Sequence, residues 1–167
     1  MARKQTQIPI DMKRILFLLL IMGLGLCARA QNALFKKYQN TKGVETVFIS
    51  KEMLQTMDND IQCGKISMHF AKGESAKIRK IDHMLILSCD NNAPLAHKIK
   101  DEAQRTYNKE GYKILLHVKQ DDEVSSIYSK PRGKKNEFVL INYSATELTI
   151  INITGVITIK DFTTNSQ

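Results

Sequence analysis

The sequence predicts an α+β domain in which a β-α-β-α unit is followed by a four-stranded antiparallel meander, with the helices packed on one face of the sheet. Three observations predict it. Leu95, Ile99, Ala103 and Tyr107 recur at four-residue spacing, the mark of an amphipathic helix. From Tyr112 onward the period changes to two, and the alternation continues through four segments. Short turns separate those segments, and consecutive strands with short connections pair as antiparallel neighbours.

The elements follow in order. "ALFKKYQNTKG" reads as a short helix, with Leu34 and Tyr38 four apart and Gly43 as a stop signal. "VETVFIS" alternates Val44, Thr46 and Phe48 against Glu45, Val47 and Ile49, a strand apolar on much of both faces. Ser50 is placed to cap a helix carrying Met53, Leu54 and Met57. "DNDIQCGKISMHFAKGES" has no sustained period, and Lys77 to Lys80 reads as a turn of helix. "HMLILS" is a buried strand. Asn91, Asn92 and Pro94 open the longest helix, and Gly111 lies past its end. "YKILLHVKQ", "EVSSIYSKP", "NEFVLINYS" and "ELTIINITG" are the meander, and "TTNSQ" reads as a frayed end.

The first thirty residues read as a secretory signal, and residues 31–167 as one domain. Ile15 to Leu26 is an uncharged run of twelve residues, about 18 Å of helix, whereas a bilayer core needs about twenty residues. Lys13 and Arg14 precede the run, and Ala28-Arg29-Ala30 places small residues where a signal peptidase reads, so cleavage is expected after Ala30. Cys27 keeps a lipid anchor open as the alternative, although Leu26 stands where lipoprotein signals want Gly, Ala or Ser. The residues before Met12 are polar and leave the start open between Met1 and Met12. The expected location is therefore periplasmic or secreted, with no transmembrane segment in the mature chain.

The formal charge is +8, but residues 1 to 30 carry five basic side chains and one acidic one, which leaves about +4 on the mature chain. An exported protein meets no chromosomal DNA, so nucleic acid is not an expected partner. The positive charge reads as solubility or weak affinity for an anionic envelope component. With Cys27 removed, Cys63 and Cys89 remain; they are candidates for a disulfide in an oxidising compartment, and two buried free thiols are the alternative.

No pattern of reactive residues points to catalysis. None of His69, His83, His97 and His117 stands three to five residues from another histidine, so no metal pair is visible, although folding could bring His83 and His117 together on neighbouring strands. Asp58, Asp60 and Gln62 resemble the opening of a calcium loop, but the glycine comes one place late, at Gly64, and His69 stands where a bidentate glutamate belongs. Asp121, Asp122 and Glu123 form an acidic turn. There is no Gly-x-Ser-x-Gly elbow, no thiolate signature and no glycine-rich phosphate loop, so no catalytic, cofactor-binding or metal residues are assigned. Lys130, Arg132, Lys134 and Lys135 share one hairpin loop and are the candidate anion-contacting loop; the plain alternative is a solvated turn whose charges discourage edge pairing. Asn142 and Asn152 match the glycosylation sequon inside strands.

Taken in order, "ARAQ", "LFKKY", "GVETVFISKEML", "IDHMLILS", "GYKILLHVKQDDEVSSIYSK" and "FVLINYSATELTIINITGVI" resemble a family of small exported Bacteroidetes proteins catalogued as a domain of unknown function, the 4252 family. The resemblance covers nearly all of the mature chain and rests on hydrophobic pattern; Val156 stands where the family often has an acidic residue. It implies an envelope location and carries over no catalytic residue or cofactor. The expected function is a non-enzymatic binding module acting on an envelope protein or envelope component, for which the sheet face uncovered by helices is the expected surface. The alternative is a small-ligand or metal-binding envelope protein, conceivably a hydrolase.

Overall fold

The computed structural model describes residues 30–56, 60–63, 66–69 and 78–159, with side chains for 33–56 and 78–159. Helix α1 covers Ala30–Tyr38 and buries Leu34, Phe35 and Tyr38. Strand β1, Val44–Ser50, leads into helix α2, Lys51–Thr56, where the Met53 N–H donates to Ser50 Oγ at 3.3 Å, the expected cap. The stretch without a sustained period contains a small antiparallel pair, β2 (Asp60–Cys63) with β3 (Ile66–His69). Strand β4 runs Ile81–Asp90, two residues longer at each end than the apolar run that marks it.

Helix α3, Ala93–Lys109, is entered through Asn92, whose Oδ1 accepts from the Leu95 N–H at 3.2 Å, with proline in its first turn. It buries Ala96, Ile99, Ala103 and Tyr107 and is followed by Gly111 at φ +79°. The meander then runs β5 (Lys113–Gln120), β6 (Glu123–Arg132), β7 (Lys135–Tyr143) and β8 (Glu147–Gly155).

The main sheet has six strands in the order β1-β4-β8-β7-β6-β5, so the meander forms four strands of a larger sheet and β8 pairs with β4. Strand β4 is apolar on both faces, as suits an interior strand covered above and below, and its backbone pairs with β1 on one side and β8 on the other. Every pairing in the sheet is antiparallel.

Two clusters of apolar side chains fix the layers. On one face, α1 and α3 cover Leu85, Leu87, Val139, Ile141, Leu148 and Ile150. On the other, Leu54 of α2 joins Ile49, Met84, Ile86, Phe138 and Ile153, together with Ile78 and Ile157 from the flanking segments. The helices therefore lie on both faces, which corrects the expectation of one. Strand parity is the reason: Met84 and Ile86 point away from α3, and their apolar surface needs a cover of its own.

Beyond Gly155 the Val156 N–H donates to Lys80 O at 2.8 Å. A Cβ at Gly155 would stand 2.2 Å from that oxygen and 2.8 Å from Ile81 Cα. The close approach of two backbones is what glycine permits there.

Candidate functional site

Strand β5 forms one edge of the sheet, and all eight of its residues are exposed. Four of them are aliphatic: Ile114, Leu115, Leu116 and Val118 are each 46–53% exposed. The register passes from Ile114 opposite Tyr128 to Leu116 opposite Ile127, which makes Leu115 an extra residue, a β-bulge. Ile114 and His117 thereby share the α3 face, while Leu116 and Val118 share the α2 face.

Across the α2 face the registers align Leu116, Ile127, Leu140, Ile151, Ile86 and Val47 in one aliphatic row that crosses all six strands. The next row outward is Val118, Ser125, Asn142, Thr149, Ser88 and Glu45, which is polar after its first member. The aliphatic row is thus the margin of the core, and it runs out into solvent at β5. An edge strand offers unpaired backbone N–H and C=O groups beside such side chains, which is the chemistry of strand addition.

A second feature lies on the α3 face. Tyr107 packs edge-on against Tyr112, with centroids 5.0 Å apart, and lies 5.9 Å from the Tyr128 ring. Glu137 Oε2 accepts from the Tyr112 hydroxyl at 2.7 Å and from Arg132 Nε at 3.1 Å. Lys130 Nζ stands 4.0 Å from Glu110 Oε2 and 5.0 Å from the Tyr112 ring centroid. The cross-strand row His83, Thr154, Glu137, Lys130 and the adjacent row Leu85, Asn152, Val139, Tyr128 carry this cluster over the sheet. Both polar atoms of the Asn152 side chain, Thr154 Oγ1, the Tyr107 hydroxyl and Glu110 Oε2 are buried with no hydrogen-bond partner among the described residues.

Such groups are costly unless water or a ligand satisfies them. Burial pushes the Tyr107 hydroxyl far up, and the charges of Glu110 and Glu137 add to it. Burial also holds His83 below the usual histidine range.

Glu110 is lifted above the usual carboxylate range by burial, with Glu137 adding to the shift and Lys130 and Arg132 opposing it. A carboxyl raised by folding favours the fold when protonated; its contribution is complete below the unfolded value and is lost as pH rises through the folded one. Glu110→Gln is therefore expected to raise the melting temperature at pH 7 and to lose that advantage near about pH 4. Melting curves across the range check it, and a difference that does not change with pH would refute it.

The residues singled out from sequence are spread over the molecule. Lys130, Arg132 and Lys135 diverge toward Glu110, Glu137 and Asp82, the last at 2.7 Å, while Lys134 is exposed at the turn. Three of the four cations thus face carboxylates of this same chain. His83 and His117 are not brought together, because β8, β7 and β6 separate β4 from β5. His117 Nδ1 lies 2.9 Å from Ser126 Oγ, and His97 pairs with Asp101 one helical turn on. Cys89 is a buried thiol whose pKa burial raises. Its candidate partner Cys63 is in β2, and that side chain lies outside the described residues, as do those of His69, Asp60 and Gln62. Asp121, Asp122 and Glu123 line an open cleft with Ser144 and Thr146. Cys27, Ala28 and Asp58 fall outside the described residues, and α1 begins at Ala30.

The unpartnered groups of β8 do leave a signal in the sequence. Leu148, Ile150, Asn152 and Thr154 share one parity in "ELTIINITG", so two polar residues follow two core residues on the same inward face.

Among the described residues no three of His, Cys, Asp and Glu gather to hold a metal ion, and no helix is long and apolar enough to cross a membrane. Fold and surface define a mixed α and β domain with a six-stranded antiparallel sheet, a bare aliphatic edge and a buried polar cluster. The model of a domain of unknown function, DUF4252, matches residues 38–164, and the chain belongs to that family. No curated protein matches it.

Proposed function

We propose that this is an exported cell-envelope protein acting as a non-enzymatic binding module, with β5 as its contact edge. The observation that carries the binding reading is the eight-residue exposed edge with its four aliphatic side chains. Export is supported by the apolar run and the Ala28-Arg29-Ala30 site. The test is the intact mass and N-terminus of the natively expressed, fractionated protein, with a photo-crosslinker at Leu116. A chain beginning at Gln31, or one lipidated at Cys27, that crosslinks to protein in the envelope fraction supports the reading. An uncleaved cytosolic chain, or a crosslinker that captures nothing, overturns it.

The buried unpartnered groups Asn152, Thr154 and Tyr107 favour a second reading, a site for a small polar ligand. A ligand at a hundred times its dissociation constant stabilises by about 2.7 kcal/mol. A thermal-shift panel of metals and sugars with no active member removes that reading.

A further inference from the structure

We infer that the outer surface of α1 and α3 docks on a bilayer leaflet bearing anionic lipid headgroups. This rests on the reading of an exported envelope protein and names a second contact, apart from β5. The charge of the molecule is unevenly placed. Among the described side chains, α1 and α3 carry six lysines and arginines against two carboxylates, whereas the remainder carries ten of each sign. The net positive charge of these residues therefore stands on the helical layer. Both carboxylates of that layer are matched from within it. Asp101 meets Lys100 Nζ at 3.0 Å and His97 Nε2 at 3.3 Å, and Glu102 accepts from Lys37 Nζ and, at 2.7 Å, from the Tyr38 hydroxyl. Lys98, Arg105 and Lys109 are exposed and form no ion pair or hydrogen bond with a described residue.

At 3.6 residues per turn these three positions fall within about 40° of one another and span about 16 Å of the helix. They lie opposite the buried Ala96, Ile99, Ala103 and Tyr107, so they form the crest of α3. Small ligands are held in concave sites. A row of cations on a convex crest instead meets a charged plane, and anionic headgroups provide one to basic residues on a helix lying along a membrane. The hairpin cations Lys130, Arg132 and Lys135 face carboxylates of this chain, whereas the crest faces solvent.

The test is vesicle co-sedimentation of protein purified from the full 167-residue sequence. Vesicles of phosphatidylcholine alone are compared with vesicles that also contain phosphatidylglycerol, so that insertion of the uncharged run Ile15 to Leu26, which needs no lipid charge, cancels. The anionic vesicles are expected to bind the protein about tenfold or more tightly at low salt, and the preference is expected to fade as salt rises. Replacing Lys98, Arg105 and Lys109 together by glutamine is expected to abolish the preference with circular dichroism unchanged. Replacing Lys113, Lys119 and Lys134 by glutamine removes the same charge from exposed positions elsewhere and is expected to keep most of it. Equal losses in the two triple variants overturn the inference, and so does wild type without preference for anionic vesicles. A chain that binds soluble dextran sulfate yet lacks that preference has a polyanion for its partner, which overturns the membrane assignment. The readout uses purified protein, so it fails or holds independently of the native location and of the Leu116 crosslinks.

Discussion

Gly155→Ala is expected to cost about 3 kcal/mol, lowering the melting temperature by roughly 10 °C. The added carbon would lie 2.2 Å from Lys80 O and 2.8 Å from Ile81 Cα, and both are backbone atoms that no rotamer change can move. Relief requires β4 and β8 to part at the end where Val156 N–H donates to Lys80 O, and that end seals the cluster of Ile81, Ile153 and Ile157. Gly111→Ala is the control. Gly111 has φ +79° and nothing within 4 Å of the new carbon, so only the backbone preference is lost, about 1 kcal/mol. Urea unfolding of the two variants checks both, and equal losses would refute the steric argument.

Glu137→Ala is expected to cost about 3 kcal/mol at pH 7. The carboxylate is 7% exposed and is the acceptor shared by Tyr112 and Arg132. Its removal leaves a buried phenol without that acceptor and a largely buried guanidinium without that counter-charge. Glu137→Gln keeps an oxygen for the Tyr112 hydroxyl and gives up the charge, so about half the loss is expected. Chemical denaturation orders the three proteins; a loss under about 0.5 kcal/mol for the alanine variant would show the cluster to be held by packing alone.

The fold was largely legible because its signals are local. The Asn92 cap, the four-residue spacing from Leu95 to Tyr107, and the two-residue alternation of the last four strands each declare an element within a dozen residues. The pair β2 and β3 was not declared: Ile61 and Cys63 against Ile66 and Met68 make strands of four residues, too short for a period to register. The layers were misjudged for a different reason. Met84 and Ile86 alternate with Leu85 and Leu87, so β4 reads as apolar throughout, and nothing local says that α2 goes to one side and α3 to the other.

The site was less legible than the fold. The lysines of the β6–β7 turn stand out in sequence as an anion-contacting loop, whereas in the structure Lys135 meets Asp82, some fifty residues earlier in the chain. The sequence leaves open whether His83 and His117 are strand neighbours, and strand order decides that question through long-range pairing that no window reveals. Likewise, "YKILLHVKQ" shows four strand-forming aliphatics but not that one side of the strand has no partner strand among the described residues.

The last strand among the described residues, β8, occupies an interior place in the sheet, between β4 and β7. As the polypeptide is made or threaded from its N-terminus, β1 can zip to β4, and β5, β6 and β7 can zip to one another, but the two halves have no common seam until residues 147–155 arrive. Both halves must wait with an open side, one at β4 and one at β7, and closing them joins segments about sixty residues apart in sequence, the slow kind of contact. A chain stopped short of Glu147 would therefore be two half-sheets in search of a wedge, and the nine residues of β8 act as the latch that turns a β1–β4 pair and a three-stranded meander into one domain.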